Sequence, residues 1–170
     1  NKFIAYKNAS KVIKFTKCDA VKLEGGKKLA NTIKYLVNKG IPVMGHVGLL
    51  PQTSTNFKVK GKNFIQRKKI LDDAIAISNS GVFAIVLECV VDHLAKKITE
   101  SISVPTIGIG ASKFCDGQIL VIDDMLGLSD FYPKFVKRYS NLKKIIEKSV
   151  KKYAKDVKLG KFPSFKNVYK

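Results

Sequence analysis

The run VFAIVLE, residues 82–88, restricts the fold more than any other stretch of this chain. No polar residue interrupts it until Glu88 ends it. A strand with one wet face alternates polar and apolar residues. An unbroken apolar run needs cover on both sides, as in a parallel sheet flanked by helices. Similar short runs recur at 20–25 (AVKLEG), 41–48 (IPVMGHVG), 104–110 (VPTIGIG) and 117–123 (GQILVID). Helical spacing separates them. Residues 9–17 lead into the first run, and Leu29, Ile33, Leu36 and Val37 form a stripe stopped by Gly40. Ile70, Leu71, Ala74 and Ile77 mark a helix over 63–80 that Gly81 ends, and Val91, Leu94, Ala95, Ile98 and Ile102 mark another. A polar loop fills the chain from Leu49 to about Lys62. From Pro133 a stripe of Phe135, Tyr139, Leu142, Ile146, Val150 and Tyr153 predicts a long last helix, and the closing GKFPSFKNVYK is irregular.

Strands alternating with helices predict a parallel α/β sheet, either open and doubly wound or closed into a (βα) barrel. A doubly wound nucleotide binder carries a glycine-rich turn after its first strand. EGGKKLA is a poor match, and IGIGAS lacks the third glycine at the required spacing. Polar residues gather instead at the C-terminal ends of several strands: Lys22 and Glu24, His46, Glu88, and the glycines Gly108 and Gly110. In a barrel these ends share one mouth, where catalytic groups collect. The barrel is the better fit.

With 45% hydrophobic and 26% charged residues, the 170-residue chain reads as a globular domain with enough material for a core. No apolar run reaches the length of a membrane span, and the N-terminal lysines are scattered unlike those of a signal peptide. The chain does not begin with methionine, as expected of a fragment or a processed product. Cys18, Cys89 and Cys115 have a wide, irregular spacing that suits neither a disulfide framework nor zinc, so reduced thiols and a cytoplasmic location are expected. The net charge of +19 suggests nucleic acid, but only Arg67 and Arg138 among the 32 cations are arginines. Arginine supplies the bidentate fork for phosphate and guanine, so its scarcity points to lysine-rich solvated faces. Residues 131–170 are the most basic stretch, with 13 cations against 2 acids, and are expected to form a basic C-terminal helix and tail.

Four residues carry the chemistry. Lys22 and Glu24 lie two apart, so a strand projects both to one face. They form either a structural ion pair or a functional couple in which the ammonium holds a carboxylate or enolate and the carboxylate serves a metal site. Glu88 is either a cap for the next helix or a general base whose pKa burial raises. His46 is either a core histidine or a pocket residue, the flanking Gly45 and Gly48 favouring the pocket through close backbone approach. His93 is expected on a helix surface. Asp72 and Asp73 balance charge in a lysine-rich helix, while Asp123 and Asp124 follow a predicted strand and are weaker mouth candidates.

The ordered motifs VKLEGG, GHVGLLPQ with FKVKGK, IVLECV, VPTIGIGAS and DGQILVIDDMLG closely resemble those of the ketopantoate hydroxymethyltransferase family over nearly the whole chain. The resemblance implies an α/β fold of TIM type, an eight-stranded (βα) barrel of the phosphoenolpyruvate/pyruvate superfamily. About five C-terminal βα units of it are expected here, as one incomplete barrel domain over residues 1–170. It implies transfer of a hydroxymethyl group from 5,10-methylenetetrahydrofolate to 3-methyl-2-oxobutanoate in pantothenate biosynthesis, the route towards coenzyme A. Mg2+ serves as cofactor, and the family forms large homo-oligomers, commonly decamers. Residue by residue, Lys22 would bind the keto acid, Glu24 would join the Mg2+ site, His46 would line the pocket, and Glu88 would remove the C3 proton. Ser112 stands where the family has glycine, a change expected to be tolerated, with some strain only if that position takes positive φ. Roughly three βα units with an Asp-Ser motif and a further aspartate precede this region in the family. They are absent from this sequence, so the chain alone is expected to be inactive and to bind Mg2+ weakly. The rival readings are another 2-oxo-acid C–C lyase of the superfamily, a basic binding module, and an inactive remnant. The main reading requires Lys22, Glu24, His46 and Glu88 to converge at one rim of the sheet.

Overall fold

The computed structural model describes residues 1–55 and 57–169. The chain forms two units, Asn1–Ile119 and Leu120–Lys170. The first holds the sheet. Helix α1 (Lys2–Thr16) starts well before residue 9 because the Asn1 side chain accepts the Phe3 and Ile4 amides, and it stops at Lys17 in the left-handed region. Strand β1 (Val21–Glu24) is followed by a short 3-10 turn (Lys27–Leu29) and α2 (Ala30–Asn38). Then come β2 (Val43–Gly48), α3 (Phe64–Ser78), β3 (Ala84–Glu88), α4 (Asp92–Ser101), β4 (Thr106–Ile109) and β5 (Gly117–Gln118).

All strand pairs are parallel, and the five strands lie in chain order, β1-β2-β3-β4-β5. A doubly wound sheet reverses its strand order at a switch point, whereas a barrel wall adds each strand beside the last. The order is therefore that of a barrel wall. Register sorts the residues by face. Val21 and Leu23, Val43 and Val47, and Ile85 and Leu87 project to the helical side, where they pack with Ile33, Leu36, Ile70, Ala74, Ile77, Leu94 and Ile98. Burying this apolar surface is the main stabilising term, at roughly 25 cal/mol per Å2. The alternate residues Lys22, Glu24, His46, Val86 and Glu88 project to the other face, as the two-residue pleat requires.

Two glycines beside the site are explained by packing. A Cβ on Gly45 would stand 2.7 Å from Ile77 Cδ1. Gly48 has φ +100, and a Cβ there would stand 2.4 Å from the Glu88 carbonyl oxygen. Both leave room for protein neighbours, which removes the argument from these glycines to a pocket role for His46. Gly48→Ala should lower stability by about 2–3 kcal/mol through backbone strain and crowding, read as a shifted urea midpoint.

The last predicted strand is much shorter than 117–123. Only Gly117 and Gln118 pair with β4, and in the second unit Ile122–Leu126 is already helical (α5). Asp123 and Asp124 thus occupy the first turn of a helix, where acids complement the dipole, and not a strand end. The final helix, α6 (Leu142–Lys158), begins nine residues after Pro133, because Asn141 caps it by accepting the Lys144 amide. Phe135 and Tyr139 lie outside it, and none of its residues is buried.

Candidate active site

Lys22, Glu24, His46 and Glu88 come together at the C-terminal rim of β1, β2 and β3. Pairing sets Glu24 beside His46, and Gly48 beside Glu88, so a continuous row forms on one face. Lys22 Nζ lies 3.9 Å from Glu24 Oε1, and the same oxygen lies 3.7 Å from His46 Nδ1. On the other side of the ring, Nε2 lies 3.3 Å from Glu88 Oε2. Exposure grades along the row: the His46 side chain is fully buried, Glu24 retains 5%, Glu88 17% and Lys22 44%. Lys22 and Glu88 can therefore meet a ligand, while His46 fills the gap between two carboxylates. At 3.9 Å with a half-exposed lysine, the Lys22–Glu24 contact contributes little as a structural ion pair.

The surrounding backbone fixes this row. The Gly25 amide donates to the His46 carbonyl at 3.0 Å, and the Leu49 amide donates to the Glu88 carbonyl at 2.8 Å. The Gln52 amide donates to Glu24 Oε2 at 3.0 Å, so the loop after β2 folds back over β1. Directly after Glu88 the chain enters the left-handed region at Cys89, φ 50, a costly conformation for a residue with a side chain. Cys89 is held there from both sides: its amide donates to Ile109 O at 2.9 Å and its carbonyl accepts the Lys60 amide at 2.7 Å. The Val91 amide returns to the Lys60 carbonyl at 3.1 Å. FKVKGK thus closes along the segment that leaves the candidate base.

Burial dominates the electrostatics. It lowers the His46 pKa to about 4, helped by the Lys22 ammonium and opposed by Glu24. At neutral pH the imidazole is therefore uncharged and neutralises neither carboxylate. Burial likewise raises the Glu88 pKa; Lys22 pulls it down and Glu24 pushes it up. The Cys89 thiol is also raised, first by burial and then by Glu88, which keeps it a poor nucleophile. The Leu49 backbone approaches the ring and opposes the fall in its pKa, but neither ring nitrogen of His46 makes a hydrogen bond of normal geometry among the described residues.

Glu24 alone does not make a magnesium centre. Its Oε1 faces Lys22 and His46, its Oε2 takes the Gln52 amide, and no group of three metal-ligating side chains exists among the described residues. Mg2+ demands near-octahedral oxygen coordination, which these residues do not fit by themselves.

The other candidates lie elsewhere. His93 is exposed on α4. Asp73 does more than balance charge: Oδ1 accepts the Lys27 amide at 2.8 Å and Oδ2 meets Lys69 Nζ at 2.6 Å. It pins the turn that follows Lys22 and Glu24, a role that no local sequence signal announces. Ser112 is not at positive φ, so the condition for strain is not met. Its buried hydroxyl donates to Asp92 Oδ1 at 2.8 Å and accepts the Phe114 amide at 3.2 Å, which ties the loop after β4 to α4. Cys18, Cys89 and Cys115 are free thiols.

The sequence profile described as ketopantoate hydroxymethyltransferase matches residues 1–165. A 3-methyl-2-oxobutanoate hydroxymethyltransferase from Pelagibacter ubique is 56% identical over 165 residues, covering 97% of this chain and 64% of the relative. Proteins of the same name from Bartonella tribocorum (52% over 169 residues) and Phenylobacterium zucineum (54% over 168) cover 98% and 97% of this chain, and 62% and 61% of their own lengths. The chain thus spans a little under two thirds of these relatives. With the profile matched almost end to end and a parallel sheet ordered as a barrel wall, this chain belongs to the ketopantoate hydroxymethyltransferase family.

Proposed function

We propose that this chain supplies the enolate-forming half of a hydroxymethyl transfer from 5,10-methylenetetrahydrofolate to 3-methyl-2-oxobutanoate, giving 2-dehydropantoate. The observation that carries the reading is Glu88, a carboxylate of raised pKa at a strand end, on the same face as a half-exposed ammonium. Lys22 holds the carboxylate or the developing enolate oxygen of the keto acid. The Glu88 carboxylate takes the C3 proton, and the electron pair moves into the enolate. The enolate carbon then bonds to the one-carbon unit of the folate; water supplies the hydroxyl oxygen and tetrahydrofolate leaves. Neutral His46 separates Glu24 from Glu88 and keeps water out from between them.

Glu24 brings one carboxylate towards the Mg2+ that the family resemblance implies, and the remaining oxygen donors lie outside the described row. The same reading takes residues 1–170 as a barrel-type domain with a basic appendage over 131–170. Closing the barrel requires strands beyond the five described. Assembly into a homo-oligomer of the family's decameric kind and a cytoplasmic site of action complete it. No helix among the described residues is long and apolar enough to cross a membrane.

The test uses the full-length product of the gene that encodes this chain, incubated with 3-methyl-2-oxobutanoate in D2O. Loss of the C3 proton signal without folate, followed by folate-dependent product formation, is the expected result. Exchange with no folate-dependent product would point to a C–C lyase, and absence of both exchange and product would overturn the assignment.

A further inference from the structure

Beyond the last residues of β3 and β4, two links still join the chain segments. The Cys89 amide donates to the Ile109 carbonyl at 2.9 Å, which continues the ladder past the Glu88–Ile109 pair. Farther out, the Ser112 hydroxyl donates to Asp92 Oδ1 at 2.8 Å. Between the links lie Val90 and Val91 on one side, Gly110 and Ala111 on the other. The two segments therefore form a closed clasp that begins directly after Glu88. Each side carries one left-handed residue, Cys89 at φ 50 and Gly110 at φ 62. At a residue with a side chain such a conformation persists only where the surrounding contacts hold it.

The Ser112 side of the clasp is firmly set. Ser112 is buried, its hydroxyl accepts the Phe114 amide at 3.2 Å, and its carbonyl accepts Gln118 Nε2 at 2.8 Å. The loop after β4 thus orients the hydroxyl and leaves its proton for Asp92. Opposite it, Val91 stands at the N-cap of α4 without a side-chain cap, and Asp92 is the first residue of the helix. The bond to Ser112 fixes the start of α4 where a capping side chain does not. The resemblance places glycine at 112, so this outer link is carried by the serine of this chain.

We propose that Ser112, acting through Asp92, is a positioning residue that holds the Glu88 carboxylate against the C3 proton of the keto acid. The proposal rests on the enolate reading above, which makes Glu88 the base. A base must stay within hydrogen-bond reach of the proton it removes, and a misplacement of about 1 Å can cost about 100-fold. Lys22 stands on β1, with β2 between it and the clasp, so keto-acid binding is separate from this control.

The experiment follows C3 proton exchange of 3-methyl-2-oxobutanoate in D2O by the full-length protein, as a function of keto-acid concentration. Ser112→Ala should lower kcat for exchange about tenfold and change KM by less than about twofold. Asp92→Ala should match it, and the double variant should be no slower than either single one. Asp92→Asn keeps an acceptor oxygen, so its rate should stay within about twofold of the unmutated protein. Thr99→Val is the control. It removes the contact of Thr99 Oγ1 with Thr106 Oγ1 at 2.8 Å, which joins α4 to β4 at their other ends. It should destabilise the fold without slowing exchange.

An unchanged kcat in Ser112→Ala overturns the proposal, as does a raised KM with kcat intact. Equal slowing in Thr99→Val overturns it in favour of general loosening. A slow Asp92→Asn overturns it in favour of a charge effect. Amide hydrogen exchange of residues 89–92 reads the clasp without the chemistry, and should be about tenfold faster in Ser112→Ala. Absence of C3 exchange in the unmutated protein would sink the enolate reading itself. Normal C3 exchange with unresponsive amides sinks the clasp alone.

Discussion

Replacing Glu88 with glutamine should slow C3 proton exchange of 3-methyl-2-oxobutanoate by 10^2 to 10^4-fold, the usual contribution of a positioned base. Shape and hydrogen-bonding length are preserved, so the loss isolates the proton acceptor. Because burial disfavours the charged carboxylate, the neutral amide should leave the unfolding midpoint at pH 7 unchanged or slightly higher. Lys22 remains in place, so keto-acid affinity should change much less than rate. In the unmutated protein the exchange rate should rise with pH through an inflection above the ordinary carboxylate range. Lys22→Met should move that inflection further up, since the ammonium pulls the Glu88 pKa down. Exchange of normal rate in Glu88→Gln, measured by proton NMR in D2O, would remove this residue from the chemistry.

The second large effect concerns stability against pH. His46 titrates at about 4 in the folded chain against 6.5 when free. Between these values the unfolded chain binds the proton and the folded chain does not, so stability falls as pH falls through the window. The contribution is complete above pH 6.5 and lost by pH 4, and a shift of this size amounts to about 3 kcal/mol. Glu88 acts with the opposite sign. Its raised folded pKa adds stability at low pH that is lost as pH rises through that value, which offsets part of the slope. His46→Leu separates the two. Leucine fills the cavity without a buried titratable nitrogen, so stability at pH 7 should change by less than about 1.5 kcal/mol. The decline between pH 6.5 and 4 should then flatten, as measured by urea unfolding at each pH. An identical slope in both proteins would mean that the buried ring does not control acid sensitivity.

The candidate site was partly legible because strand geometry is local. Two residues separate Lys22 from Glu24, and a pleat of period two puts them on one face whatever surrounds them. The all-apolar approach to Glu88 likewise announces a carboxylate leaving water. The family motifs supplied the assignment of roles. Asp73 and Gln52 were not legible in this way. Each acts across a large separation in sequence, Asp73 on the Lys27 amide and the Gln52 amide on Glu24, and no spacing rule reaches that far. The two glycines flanking His46 were legible as close approaches, but the approaching atoms are Ile77 and the Glu88 carbonyl.

By itself, the sequence determined the parallel α/β class, the positions of four strands with the helices between them, and the pairing of Lys22 with Glu24 on one face. Apolar period and glycine stops carry that information because each depends on neighbours within a few residues. The tertiary structure alone decided the cross-strand register that sets Glu24 beside His46 and Glu88 against the far side of its ring. It also decided the shortening of β5, the late start of α6 and the complete burial of the His46 imidazole. Register and desolvation depend on which distant segments pack together, so they exist only once the sheet is assembled.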